Sequence, residues 1–198
     1  MNSILNFFRD LKKYLRISKS SGIARRYFVM NGFDGALTML GILLGFYFAG
    51  SENTTFILSA GVGAAIALGV SGVTSAYMAE DAERQRELRN LESAMLIKLD
   101  DTIHERANRF ATIYLALVDG ISPVLTALII LSPFIFNGFG FLDIAGRYNT
   151  SFAITVCMFF LLGSYLGRIS GDSRIKKGVQ MVLIGILTSV LIFLFSII

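Results

Sequence analysis

The run Tyr27–Gly50, YFVMNGFDGALTMLGILLGFYFAG, is long enough to cross a bilayer yet carries a carboxylate, Asp34, about two turns inside its start. At ~1.5 Å of rise per residue, these 24 residues reach roughly 36 Å, more than a hydrocarbon core of about 30 Å requires. An aspartate at that depth costs at least ~2.5–3.5 kcal/mol, so it faces a bundle interior or a water-filled path. Gly32, Gly35 and Ala36 beside it let another helix come close. Asp34 is therefore expected in an ion pathway.

Apolar runs of this kind recur along the 198 residues, 54% of which are hydrophobic and only 16% charged. Soluble domains average about 25% charged. The charges come in blocks between the runs, which predicts an all-α, polytopic membrane protein rather than a barrel of short alternating strands. Spans are expected at about 27–50, 56–79, 110–136, 150–169 and 178–198, making 27–198 one transmembrane domain. The lone Cys157 excludes an intramolecular disulfide and a multi-cysteine metal cluster. With one histidine and no Ser/His or two-histidine motif, no enzyme is expected.

Residues 1–26 are expected to form a separate interfacial segment. Ile4, Phe7, Phe8, Leu11, Tyr14 and Leu15 share one helical face, and Arg9, Lys12, Lys13 and Arg16 the other, as in a basic amphipathic helix lying on a membrane. After span one comes the short turn Ser51–Thr55. Span two repeats small residues at four-residue spacing in two rows, Gly61, Ala65, Gly69 and Gly63, Ala67, Ser71, Ser75, so helices are expected to pack closely there. Its end carries a stripe of Ser71, Thr74, Ser75, Met78 and Asp81, which serves either as a path lining or as a packing seam. Residues 80–109 are polar, free of Pro and Gly, and rich in helix formers, so they read as a helical linker of one or two helices. Span three carries a second aspartate, Asp119, and Pro123, which leaves the Asp119 carbonyl without its usual donor. A kink or unwound turn is expected at that point. An outer loop, Asn137–Asn149, precedes span four, where Gly163 and Gly167 form a GxxxG pair. Gly35, Gly41, Gly45, Gly61, Gly69, Gly163 and Gly167 are the expected helix-packing positions.

The basic residues give a topology. Seven Lys/Arg precede span one, six lie in the 80–109 linker and four lie at the turn after span four, whereas Arg147 is alone on the opposite side. The positive-inside rule then places the N-terminus and the linker in the cytosol. Asp34 and Asp119, each followed by glycine, come about 12 and 15 Å deep from the same side. The two segments around them read as a weak parallel repeat.

Carboxylate oxygens bind divalent cations, and a thioether such as Met78 adds affinity for softer ones. A carboxylate able to exchange metal for proton is the chemical basis of an antiporter. The bland alternative gives both aspartates structural partners. In the linker, Glu80, Glu83 and Glu87 share a face, and Asp100, Asp101, His104 and Glu105 include i, i+4 pairs. These groups read either as a cytosolic metal-gathering surface or as a solvated, salt-bridged face, since arginines are interleaved with them.

The segment NGFDGALTMLGILLG, with Asp34, Gly35 and Thr38, resembles the first helix of the vacuolar iron transporter family, which carries an Asp-Gly-x-x-Thr signature. The small-residue second helix ending SAYMAEDAERQREL resembles that family's second helix. The resemblance runs from about Arg25 onward. It implies a homodimer in the lipid bilayer that exports Fe2+ or Mn2+ from the cytosol in exchange for protons. The first helices of both subunits would form the pathway, and the metal position matches Asp34. No tightly bound cofactor is implied and no nucleic-acid partner. The chain departs from the family at Ala76 and Gly72, where a glutamate and a methionine are usual, and Met78 and Glu80 are the nearby substitutes. Asp119 is expected as a second ligand or proton carrier. The setting would be a cell membrane in a prokaryote or a vacuolar-type membrane in a eukaryote. The competing expectation is a non-transporting membrane adaptor or scaffold that oligomerises through its glycine faces.

Overall fold

The apolar runs fold into five helices, and every one is long and apolar enough to span a membrane. The structure is a computed structural model that describes residues 20–96, 98, 102–136 and 142–196; at 103 and 104 only the backbone is described. The helices are α1 (Ser20–Phe48), α2 (Thr54–Met95), α3 (Ile103–Ile135), α4 (Ile144–Ser170) and α5 (Arg174–Ser196). Positions 1–19 of the amphipathic segment lie outside the described residues; positions 20–26 continue α1 without a break.

Short polar motifs set the helix ends. Asn53 caps α2 by accepting the amides of Thr55 and Phe56 at 3.0 and 3.3 Å. Asp143 caps α4 by accepting the Gly146 amide at 2.9 Å, so this helix starts six residues before the expected span at Thr150. A carboxylate cap satisfies amides that would otherwise be unpaired, and the expected outer loop shortens accordingly. Gly171, with φ of 75°, ends α4 in the left-handed conformation that costs glycine least.

The linker 80–109 divides between two helices. Its first part prolongs α2 to 42 residues, about 63 Å at ~1.5 Å per residue, roughly twice the hydrocarbon thickness. Its last part, after Thr102, opens α3. The expected unwound turn at Pro123 is not found, because α3 runs as continuous helix through Pro123 and Pro133. Proline removes one hydrogen bond. The hydroxyls beside it bond elsewhere, with Ser122 Oγ donating to the Phe28 carbonyl of α1 and Thr126 Oγ1 donating to the Ser122 carbonyl at 3.0 Å.

Helix α3 is central. It packs extensively on both α1 and α2, whereas those two meet each other sparingly. Helices α4 and α5 form an antiparallel pair laid against α1. Small residues set the close approaches. A Cβ on Gly35 would lie 2.7 Å from the Cα of Pro123, one on Gly61 2.7 Å from Leu131, and one on Gly69 2.7 Å from Val124. Gly163 and Gly167 admit the start of α5, with Cβ positions 2.8 Å from Gly178 Cα and 3.0 Å from Arg174 Cα. Gly41 and Gly45 behave differently. Among the described residues, Gly41 has one side chain near it at 3.8 Å and Gly45 has nothing within 4 Å. Of the two small-residue rows on α2, Gly61, Ala65 and Gly69 are buried, whereas Gly63, Ala67, Ser71 and Ser75 face outward.

The core contains Met39, Leu43, Ile57, Leu131, Phe134 and Phe159. The exterior is also apolar, with Leu117, Ile121, Leu125, Leu187 and Leu191 exposed, as suits a bundle surrounded by lipid. Replacing Gly35 with leucine is expected to destabilise the fold by about 1–3 kcal/mol or more, because the side chain would meet proline backbone. Gly45→Ala is expected to leave stability unchanged. Thermal unfolding of the two variants in detergent checks this.

Candidate functional site

Asp34 lies fourteen residues from either end of α1, and Asp119 lies sixteen residues from either end of α3. Both carboxylates therefore sit at the middle of membrane-length helices. Close packing of α1 on α3, made possible by Gly32 and Gly35 against Ser122 and Pro123, brings Asp119 to Asn31, one turn before Asp34. Their surroundings differ. Asp119 is buried and accepts a hydrogen bond from Asn31 Nδ2 of α1. Asp34 is exposed on the single chain, and its carboxylate makes no hydrogen bond or ion pair among the described residues. An unpaired carboxylate cannot rest in acyl chains without a penalty of several kcal/mol, so this surface calls for a polar or protein covering.

A second polar cluster ties the other ends of the same helices. Glu80 and Arg84, one turn apart on α2, form an ion pair of 3.3 Å with side chains 10% and 7% exposed. The Tyr27 hydroxyl of α1 donates to Glu80 Oε1 at 2.9 Å. Arg84 donates from Nη2 to Ser20 Oγ of α1 at 3.0 Å and from Nη1 to Asn108 Oδ1 of α3 at 3.4 Å. Its Nε is buried without a partner among the described residues. The cluster joins α1, α2 and α3 where α1 and α2 otherwise touch little. Beside it a polar cavity of about 450 Å³, lined by residues that include Tyr77, Asp81, Arg84, Glu105, Asn108 and Arg109, opens between α2 and α3.

Other expected site residues are placed apart from the aspartates. Glu80 is engaged by Tyr27 and Arg84, so both of its oxygens are already in use. Met78 is 67% exposed on the outer face of α2. In the polar stripe above it, Thr74 and Ser75 bond carbonyls of their own helix. Glu83, Glu87 and Glu105 are exposed. Asp100, Asp101 and the His104 side chain lie outside the described residues. Among the described residues of one chain, no group of three or more His, Cys, Asp or Glu side chains is arranged to hold a metal ion.

Sequence reasoning missed Asn31, Tyr27 and Arg84. Asn31 offered a signal, being an amide within an apolar run and one turn before Asp34. Arg84 offered none that set it apart from Arg86 and Arg89, since only burial distinguishes them.

Five apolar helices with polar side chains gathered inside define a multi-pass, all-helical integral membrane protein. No protein-family profile matches the chain. It is 32% identical over 196 residues to the uncharacterized protein MJ0645 of Methanocaldococcus jannaschii, covering 96% of this chain and 97% of that one. The chain belongs to the same family as that archaeal protein.

Removing one member of a buried ion pair leaves the other uncompensated, at about 3–5 kcal/mol. Arg84→Met is expected to destabilise the protein by that order, and the double variant Glu80→Met/Arg84→Met by less. Chemical denaturation of the three proteins in detergent measures the difference.

Proposed function

We propose that the protein is a proton-coupled transporter that carries a divalent metal cation, Fe2+ or Mn2+, out of the cytosol, and that it works as a homodimer. The observation that carries this reading is the pair of mid-helix carboxylates: Asn31 of α1 bonds Asp119 of α3, and Asp34 lies one turn further along α1. Two such groups have a reason to lie together if a cation is to pass between them. Asn31 holds Asp119 in place, and Asp34 is left with its oxygens available. Either carboxylate can carry a proton when the metal has left, which couples the two fluxes.

The homodimer follows from the exposure of Asp34. Met30, Asp34, Thr38, Gly41 and Gly45 fall on one face of α1 by their spacing. Among the described residues nothing fills the space at Gly45. A second copy crossing along this face covers the carboxylate and adds its own Asp34, so the donors of one chain become half of a larger set. The resemblance of NGFDGALTMLGILLG to the vacuolar iron transporter family supports the same arrangement. The concentration of Lys and Arg on the side that bears the α2 extension supports a cytosolic N-terminus.

In liposomes loaded to give a pH gradient, the purified protein is expected to move Fe2+ or Mn2+ with counterflow of protons. Asp34→Asn is expected to reduce that flux to the level of protein-free liposomes. Asn31→Ala, which frees Asp119 from its orienting bond, is expected to lower it about tenfold. Wild-type flux in Asp34→Asn would overturn the reading. A cysteine at position 45 is expected to form a disulfide-linked dimer under mild oxidation, read by non-reducing electrophoresis.

A further inference from the structure

Between the polar ends of α1, α3 and α4 the bundle leaves a cleft of about 280 Å³, lined by Ala24, Arg25, Phe28, Tyr114, Val118 and Tyr165. Half of these residues are aromatic, one is a cation, and none is a carboxylate. Arg25 donates from Nε to the Ser21 carbonyl at 3.2 Å. Among the described residues it makes no other hydrogen bond or ion pair, so both Nη groups remain available. The hydroxyls of Tyr114 and Tyr165 likewise have no hydrogen-bond partner among the described residues. Stacking on Phe110, at a centroid separation of 6.3 Å, steadies the Tyr114 ring.

The cleft therefore combines three donor-bearing side chains, Arg25, Tyr114 and Tyr165, with an apolar lining from Ala24, Phe28 and Val118. Its depth is that of a membrane interface. Arg25 comes five residues after the start of α1, and Tyr165 five before the end of α4. Arginine and tyrosine at that level are the side chains that meet headgroups. Arg26 adjoins Arg25, and Arg168 follows Tyr165 by one turn, so the local charge is positive. An ammonium headgroup would find no carboxylate among the lining residues to receive it, whereas a phosphate finds a guanidinium with two free nitrogens.

We propose that this cleft binds the phosphate of an anionic phospholipid. The Arg25 Nη groups and the two tyrosine hydroxyls donate to its oxygens, and an acyl chain leaves along Phe28 and Val118. The apolar lining favours a lipid over a free phosphate, because a small anion would leave that surface wet. The lipid would lie between helices of both layers of the bundle, α1 and α3 on one side and α4 on the other. This site is separate from Asp34 and Asp119 and does not depend on what they transport.

The test uses the full chain in nanodiscs that mix phosphatidylcholine with phosphatidylglycerol, with retained lipid counted by native mass spectrometry after release into detergent. Wild type is expected to keep phosphatidylglycerol in preference to phosphatidylcholine. Arg25→Gln is expected to weaken that retention about tenfold, the scale of one charge-assisted hydrogen bond. Tyr114→Phe/Tyr165→Phe is expected to weaken it about threefold. Arg86→Gln, on the exposed side of α2, should leave it unchanged, and excess inorganic phosphate should not displace the lipid. Equal retention of the two lipids, wild-type retention by Arg25→Gln, or displacement by inorganic phosphate would each overturn the proposal. Should Arg25→Gln fail to fold, the double phenylalanine variant, which keeps the charge, decides the question in the same assay.

Discussion

A carboxylate at the middle of a lipid-spanning helix has to be met by something polar, and much of this bundle is arranged around two of them. Water cannot do it from the lipid side, and acyl chains offer no donors. Asp119 is answered within the chain by Asn31, one helix away. That bond is possible because α1 and α3 pack backbone against backbone at Gly35 and Pro123. Larger residues at Gly32 or Gly35 would push α1 outward and take Asn31 out of reach. Asp34 is answered by nothing among the described residues of its own chain. Its requirement has to be met from outside the described residues, by water or by another polar group.

The polar cluster of Ser20, Tyr27, Glu80, Arg84 and Asn108 is the second organising feature. Away from the aspartates, it supplies contacts that α1 and α2 otherwise lack. A buried ion pair is a poor source of net stability compared with apolar packing, because desolvation offsets the attraction. Its effect is directional. Bonds from Arg84 reach α1 and α3, and the bond from Tyr27 returns to α2. The starts of α1 and α3 are thereby held in register with the interior of α2. The remainder of α2 continues beyond this cluster as helix to Met95, carrying charged side chains into water.

Much of the architecture was legible in the sequence. Five apolar runs separated by charged blocks gave five helices, and the small residues at Gly61, Gly69, Gly163 and Gly167 marked close approaches that the structure contains. The caps were less legible. Asp143 looked like a loop residue, yet it opens α4 six residues early by accepting the Gly146 amide. Pro123 read as a kink or an unwound turn, yet α3 passes through it as helix, packed there against Gly35 of α1. Glu80, Glu83 and Glu87 looked alike on one helical face. Only the position of α1 makes Glu80 a buried partner of Tyr27 while the other two stay in solvent. Gly41 and Gly45 were read with the other packing glycines, but among the described residues one side chain comes near Gly41 and nothing comes within 4 Å of Gly45.

Sequence alone determined that this chain lives in a membrane, that five of its segments are helices long and apolar enough to cross it, and that two of these carry an aspartate within the span. Those properties depend on hydropathy, length and charge, all of which are local and survive without knowledge of neighbours. Tertiary structure decided that Asp119 meets Asn31 one turn before Asp34, that this amide serves one aspartate and leaves the other open, and that Arg84 alone among its neighbouring arginines is buried. Such facts depend on which helix lies beside which and at what rotation. Backbone contacts at a few glycines fix both, across separations of tens of residues that no local pattern records.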